Sequence, residues 1–275
     1  MNDIGYAHGV IKRLLAAIVI LTLGGCSWFS WLPWVDDDTA EDATEPAKLQ
    51  PFDAEVDVSV QWKRQVGDGL GKKYIRLMPG VVADRIIAAD GYGLLVAYDR
   101  FTGQPVWQQQ FDAVERSGFS IAGLLDRRDP AFVSGGVGIG AGMVLVGTTH
   151  GEVIALDVAD GSERWRSRVG TEVGAAPTAG AGKVFVQTID DRVSALDADS
   201  GDLVWTYDSQ MPLLTLRGTS APVFDQGVLY TGFANGKVVA LRGENGEPIW
   251  EQRVMLPEGR SELDRIVDVD ARVLL

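Results

Sequence analysis

Residues 155–165, with the sequence ALDVADGSERW, decide the fold because their pattern occurs four times in the chain. Each copy has Ala, then Leu or Tyr, then Asp or Arg, a Gly four residues later and a Trp four residues after that. The copies begin at Ala97, Ala155, Ala195 and Ala240, so they are 58, 40 and 45 residues apart. Such spacing is typical of repeat architectures. The recurring residues are Asp99, Gly103, Trp107, Asp157, Gly161, Trp165, Asp197, Gly201, Trp205, Gly246 and Trp250.

Short apolar runs surround each copy of the pattern. Residues 143–146 and 152–156 illustrate two such runs, which are too short for helices and predict buried strands joined by a polar turn. The Asp of the pattern can start a turn, the Gly can finish it in a left-handed conformation, and a strand carrying the Trp follows. Roughly four strands per 40 to 45 residues predict an all-β fold, a β-propeller of four-stranded blades. A β-sandwich or a solenoid is the alternative.

The copies divide the predicted propeller domain, residues 53–275, into blades. We expect blades at 68–112, 113–170, 171–208 and 209–255, with a fifth begun at 256, so that the chain is a C-terminally truncated part of a larger ring. Residues 62–67 resemble the end of a repeat and predict an orphan last strand. An insertion at 115–130 lengthens the second blade, and it is either a contact loop or a disordered one.

The N-terminal residues have the features of an export signal. In residues 1–26, Lys12 and Arg13 precede an apolar run of about ten residues, which is typical of a secretory signal peptide. Cys26, the only cysteine, follows a short lipobox-like segment, so we expect it to carry lipid at the outer membrane. A signal anchor with an incidental cysteine is the alternative. Residues 27–52 are acidic and predict a flexible tether.

Charge and composition restrict the chemistry. A formal net charge of −13 argues against a nucleic-acid partner. The two histidines, His8 and His150, lie in the signal peptide and in a predicted hairpin turn, so neither a Cys/His metal site nor a cysteine nucleophile is expected. The glycine-rich residues 134–140 match no phosphate-loop pattern and predict the first strand of a blade. We therefore expect no catalytic residues, no metal and no cofactor.

One enzyme class shares this repeat. The pattern resembles the tryptophan-containing repeat of periplasmic pyrroloquinoline-quinone-dependent dehydrogenases, which are eight-bladed propellers. Those enzymes need calcium ligands and a catalytic Asp, and the sequence has no clustered Glu, Asn and Asp set that can be assigned to calcium. A dehydrogenase-like propeller nevertheless remains the alternative function, because a repeat marks architecture and does not identify a cofactor.

Three further segments carry a more specific resemblance. They are MPLLTLRGTSAP at 211–222, IWEQR at 249–253 and ELDRIVDVD at 262–270. Together with the lipoprotein signal and the tether, they resemble the BamB family, the propeller lipoproteins of the machinery that folds and inserts β-barrels into the outer membrane. The resemblance implies an eight-bladed ring, of which this chain holds about the first half.

The resemblance also implies a function without catalysis. It implies a scaffold that faces the periplasm of a Gram-negative bacterium, binds the periplasmic repeats of the central barrel subunit and helps deliver unfolded barrel precursors. The partner-binding surface that it implies consists of Leu214, Leu216, Arg217, Asp268 and Asp270. Two leucines beside an arginine would make an apolar anchor with a charged rim, and the two aspartates alternate, so both can face one side. Alternatively, the leucines are blade core and the aspartates form turns.

Overall fold

A computed structural model describes residues 55–70, 75–111, 132–216, 218–261 and 263–275. One compact unit, Ser59–Leu275, contains all the strands. The predicted signal peptide, lipidated cysteine, tether and 115–130 insertion lie outside the described residues, as does Arg217. Within the described ranges, no helix is long and apolar enough to cross a membrane.

In the described part of the chain, sixteen strands form four antiparallel sheets of four strands each. The first sheet contains β1 (Gly80–Val82), β2 (Arg85–Ala89), β3 (Leu94–Asp99) and β4 (Pro105–Gln110). The second contains β5 (Val133–Gly140), β6 (Met143–Thr148), β7 (Glu152–Asp157) and β8 (Glu163–Arg168). The third contains β9 (Thr178–Gly180), β10 (Lys183–Gln187), β11 (Arg192–Asp197) and β12 (Leu203–Asp208). The fourth contains β13 (Val223–Asp225), β14 (Val228–Gly232), β15 (Lys237–Arg242) and β16 (Pro248–Arg253).

This arrangement confirms the all-β prediction of four-stranded blades. Each sheet lies within one predicted blade, and the glycine-rich residues 134–140 belong to the first strand of the second sheet, as expected. The first strands of successive sheets lie side by side, so they line a common centre.

Two predicted elements are not strands. Residues 62–67 form no strand, because no neighbouring chain segment pairs with them in the described part of the structure. Residues 256–275, the predicted start of a fifth blade, also form no strand where described. Val267 makes only an isolated parallel bridge with Asn235. Both corrections have the same physical reason, since a strand is regular only when a second strand completes its hydrogen bonds.

The Asp and Gly of the repeated pattern build the turn between the third and fourth strands. Asp197 Oδ1 accepts hydrogen bonds from the amides of Asp199 and Ser200, at 3.0 and 2.9 Å. These bonds stabilise the carboxylate and lower the pKa of Asp197 below its ordinary value. Gly201 then adopts φ +76°, a left-handed conformation that a side chain would strain. In the structure, Asp197 therefore starts this turn and Gly201 finishes it.

The Trp of each of the first three patterns docks on the next sheet. Trp165 Nε1 donates a 2.8 Å hydrogen bond to the carbonyl of Ala198, and its ring covers Gly201 so closely that an added Cβ would lie 2.7 Å from Cε3. The same contact joins Trp107 to Gly161 and Trp205 to Gly246. We call this contact the Trp–Gly clasp. It explains why the Gly and the Trp recur together, because each glycine receives the tryptophan of the preceding sheet.

Trp62 extends this series although it lies outside any strand. Its Nε1 donates a 2.9 Å hydrogen bond to the carbonyl of Arg100, and a Cβ on Gly103 would lie 2.6 Å from its ring. Trp62 thus makes with the first sheet the same clasp that the tryptophan at the end of a repeat makes with the next sheet. Trp250, which ends the fourth copy, covers no glycine among the described residues, and 45 % of it is exposed.

Apolar clusters fill the space between neighbouring sheets. The first lies between the first and second sheets around Ile87 and Ile154, the next around Leu145 and Val184, and the third around Phe185. Serine and threonine hydroxyls add polar bridges near the centre. These bridges are Ser134 Oγ to Val173 O (2.8 Å), Thr178 Oγ1 to Pro222 O (2.6 Å) and Ser220 Oγ to Ala271 O (2.8 Å).

The clasp can be tested with two glycines of nearly equal conformation. Gly201 and Gly182 have φ of +76° and +70°, so Gly→Ala costs each about 1 kcal/mol in backbone strain. A Cβ at Gly182 meets nothing within 4 Å, whereas at Gly201 it would lie 2.7 Å from the Trp165 ring and 2.5 Å from Ser167 Oγ and so displaces both side chains. We expect Gly201→Ala to lower the free energy of unfolding by about 2 kcal/mol more than Gly182→Ala, measured by denaturant titration. Equal losses in the two variants would show that the clasp does not stabilise the sheets.

Candidate functional site

The antiparallel order of the strands gives the sheets two different ends. The hairpin between the second and third strands and the connection to the next sheet lie together at one end, which we call the loop end. The turn built by the Asp and Gly of the pattern lies at the other. At the loop end of the fourth sheet, hairpin 233–236 lies between connection 209–222 and residues 254–270. All the residues of the predicted partner surface fall on these two segments.

Large apolar side chains protrude from the first segment. We call residues 211–216 the leucine loop. Leu213, Leu214 and Leu216 are 86, 46 and 72 % exposed, and Met211 is also exposed. The leucines are therefore not blade core, which was the alternative interpretation. A run of exposed leucines outside the repeat pattern is unusual at a protein surface and is typical of a binding site.

Asp268 fastens the leucine loop. Its Oδ2 accepts hydrogen bonds from the amides of Leu216 and Gly218, at 2.8 and 3.3 Å. Its Oδ1 is buried and has no hydrogen-bond partner within the described ranges. The backbone of Gly218 approaches closely, since an added Cβ would lie 3.4 Å from this carboxylate. Asp268 thus fixes the loop through its backbone and does not act as a turn former.

Asp270 faces the same way but makes a different contact. A Cβ on Gly218 would lie 2.7 Å from the Cβ of Asp270, so both aspartates lie against this glycine, as their alternation predicts. Asp270 forms a 3.0 Å ion pair with Arg76, a partner that the sequence did not indicate. Pairing of either aspartate with Arg217 stays a prediction, because Arg217 lies outside the described residues.

A third aspartate near Asp268 was missed by sequence reasoning. Asp191 is buried in the β10–β11 hairpin with φ +58°, and its carboxylate accepts the amide of Ala234 in the next sheet at 3.1 Å. Burial raises its pKa from 3.8 to about 6, and the charges of Asp268 and Asp190 add to the increase. The sequence showed Asp191 only as a hairpin residue. It links two sheets directly beneath the site.

The centre of the sheets holds a cavity of about 1430 Å³. Glycine, alanine and aliphatic side chains supply most of its lining, and its charged residues are Arg76, Glu172, Asp270 and Arg272. The described residues contain no group of three or more His, Cys, Asp or Glu side chains placed to hold a metal ion. His150 occupies a turn, as predicted, with its ring centroid 6.4 Å from that of Phe132.

Comparisons with known proteins agree on one family. The family model described as "Outer membrane protein assembly factor BamB" matches residues 52–118 and 116–275. A protein of that name from Xanthomonas campestris pv. campestris is 40 % identical over 269 residues, covering 96 % of this chain and 63 % of the relative. One from Pseudomonas aeruginosa is 43 % identical over 270 residues, covering 98 and 62 %. The chain therefore spans about three fifths of the length of these curated relatives.

Solved structures show the same fold. BamB from Moraxella catarrhalis superposes with a TM-score of 0.63 at 30 % identity, covering 72 % of this chain and 55 % of that one. A quinohemoprotein alcohol dehydrogenase from Pseudomonas putida HK5 matches with a TM-score of 0.50 at 19 % identity, covering 68 and 35 %. At that identity the second match shows a shared fold alone.

The raised pKa of Asp191 predicts how the stability of the protein changes with pH. Since its pKa in the folded protein lies above the ordinary value, its contribution to stability is greatest below pH 3.8 and is lost as the pH rises through 6. Asn keeps an oxygen for the amide of Ala234 and tolerates positive φ. We expect Asp191→Asn to stabilise the protein at pH 8 by up to about 3 kcal/mol and to have little effect near pH 4.

Denaturant titrations at the two pH values check this prediction. Asp225→Asn is the matched control, because it removes an acidic group at an exposed position of β13. An equal increase in the free energy of unfolding of Asp191→Asn at pH 8 and at pH 4 would contradict the raised pKa of Asp191.

Proposed function

This chain belongs to the BamB family of outer membrane protein assembly factors, and from that premise we propose that it is a non-enzymatic scaffold of the outer-membrane β-barrel assembly complex. In this proposal it binds the periplasmic repeats of the central barrel subunit and assists the assembly and insertion of barrel proteins. The single observation that carries the proposal is the leucine loop, an exposed apolar segment whose backbone is fastened by a carboxylate.

The proposed contact surface consists of Leu214, Leu216, Arg217, Asp268 and Asp270. The leucines supply apolar area that loses water on binding, which is the main source of affinity at protein interfaces. Arg217 supplies a charged rim. Asp268 supports the surface from below, because its carboxylate is engaged with the backbone of the loop.

The lipid anchor determines where this surface operates. We propose that Cys26 is lipidated and holds the protein to the outer membrane, facing the periplasm. The acidic tether 27–52 would then place the sheets within roughly 30 Å of the membrane surface, the average span of a flexible chain of that length. This distance suits a partner whose periplasmic repeats extend from a membrane-embedded barrel.

Unfolded barrel precursors are a second proposed partner. Among the described strands, the fourth strand of each sheet pairs with the third and with no other, so its outer edge can accept a further strand. Barrel precursors contain segments with unpaired backbone groups that form strands on folding, and such a segment can bind by adding a strand to the sheet. The alternative of a quinone-dependent dehydrogenase has only a shared fold in its favour.

Truncation of the leucines tests the partner surface. Each exposed leucine that becomes buried in an interface contributes about 1 to 2 kcal/mol, so Leu214→Ala/Leu216→Ala should weaken binding of the periplasmic repeats roughly 30-fold or more. Binding of the purified repeats to the full-length protein is measured by biolayer interferometry. Leu203→Ala/Val204→Ala is the matched control, since it removes two exposed apolar side chains from β12. Unchanged affinity in the Leu214/Leu216 variant would remove this loop from the site.

Substitution of the cysteine tests the anchor. Cys26→Ser removes the thiol that accepts lipid, so the protein should fail to incorporate labelled palmitate and should leave the outer-membrane fraction. Ser27→Ala is the control and should stay with the membrane. A Cys26→Ser protein that still sediments with the outer membrane would show that another segment holds it there.

A further inference from the structure

Three chain segments meet at Asn235 in the β14–β15 hairpin. Its side-chain Nδ2 donates hydrogen bonds to Ser209 Oγ and to the carbonyl of Gln210, both at 3.0 Å, just before the leucine loop. Its own carbonyl accepts a 2.8 Å hydrogen bond from Arg253 Nη1 at the end of β16. Its backbone also bridges Val267, the residue before Asp268. Asn235 therefore contacts both segments that carry the partner surface.

An asparagine is required for this set of contacts. Besides the two bonds that Nδ2 donates, Oδ1 accepts the amide of Lys237 at 3.1 Å and so closes the turn. A side chain must offer donors and an acceptor at once, which an amide does and a carboxylate does not. In the corresponding hairpin of the third sheet, Asp190 Oδ1 accepts a hydrogen bond from Thr171 Oγ1. There the hairpin side chain is the acceptor, whereas Asn235 is the donor to the preceding connection.

The leucine loop has two fastenings, one at each end. Asn235 holds it at Ser209 and Gln210, and Asp268 holds it at Leu216 and Gly218. The exposed leucines lie between these points and have little packing of their own to order them. A loop held at both ends loses less conformational entropy on binding than one held at a single end, so it binds more tightly through the same contacts.

We propose that Asn235 is a positioning residue for the partner surface: it acts through the leucine loop, which it holds ready for binding, and does not itself contact the partner. This inference rests on the proposed function, because it assigns a role at the same site. No sequence pattern indicates this role. Asn235-Gly236 has the composition of an ordinary hairpin turn, and the contacts to Ser209 and Arg253 exist only in the folded chain.

Asn235→Asp tests the proposal with the smallest change. The carboxylate keeps the acceptor for Lys237 and the shape of the turn, but it loses the donors and faces the carbonyl of Gln210. The hydroxyl of Ser209 can turn and donate to the carboxylate, but the bond to the carbonyl of Gln210 is lost and replaced by repulsion between two acceptors. This change should release one end of the loop and weaken binding of the periplasmic repeats roughly ten-fold. Asn245→Asp is the matched control, because it makes the same chemical change in an exposed turn at the opposite end of the same sheet.

The same substitution in the Leu214→Ala/Leu216→Ala background separates positioning from other roles. If Asn235 acts through the leucines, Asn235→Asp should cost less than about two-fold once they are gone, because coupled residues are not additive. Binding capacity at saturation provides a further readout. A variant that is merely partly unfolded lowers the capacity and leaves the affinity of the folded fraction unchanged, whereas a positioning defect lowers the affinity at full capacity.

The outcomes are distinct. A ten-fold loss at full capacity for Asn235→Asp, absent from Asn245→Asp and from the leucine-free background, supports the proposal. Wild-type affinity, a reduced capacity alone, or an equal loss with and without the leucines would each overturn it while leaving the proposed function in place. If the leucine variant itself binds like the wild type, the proposed surface fails, and the role of Asn235 fails with it.

Discussion

The Trp–Gly clasp is the contact on which the rest of the structure depends. A sheet of four strands with apolar faces is not stable alone, because both faces must be covered. In the clasp, a tryptophan ring packs on the neighbouring sheet and covers part of its apolar face. A hydrogen bond from the indole to a carbonyl of that sheet fixes the position of the ring. Two constraints require glycine at this position: its φ is positive, and the tryptophan ring occupies the space that a Cβ would fill. This double requirement explains why the pattern contains a Gly as well as a Trp.

The clasps and the proposed binding surface lie at opposite ends of the sheets. Each clasp occupies the turn end of the sheets, where the repeated Gly has a positive φ in all four turns and the repeated Asp starts the turn in the first three sheets. At the loop end, a backbone hydrogen bond from the residue after the fourth strand to the hairpin recurs in all four sheets, but the connections beyond it differ in length and sequence. Loops on a rigid scaffold commonly carry function. The fourth sheet uses this freedom most. Its hairpin residue Asn235 and the nearby Asp268 fasten an apolar loop that belongs to no blade core, while the carboxylate of Asp191 accepts a hydrogen bond from Ala234 in the next sheet.

The sequence was a good guide to local structure and a poorer one to contacts between segments. Strand positions and the turns at Asp197 and Gly201 follow from residue type and spacing. Trp62 was placed in a strand because its neighbours resemble a repeat, yet a strand also needs a partner, which sequence similarity does not supply. The exposure of Leu214 and Leu216 was left open, since a leucine in a short run fits a core equally well. Asp191, Asn235 and the Arg76–Asp270 pair were missed because their partners lie more than 15 residues away in sequence.

The central claim is that the clasped sheets are a scaffold and that the loop end of the fourth sheet binds the barrel subunit. Amide hydrogen exchange of the full-length protein, with and without the periplasmic repeats of that subunit, tests this claim directly. The account predicts slower exchange on binding in residues 209–218 and 254–270, with unchanged exchange in the fourth strands β4, β8, β12 and β16. Protection confined to those outer strands, with the two loop-end segments unaffected, would contradict it.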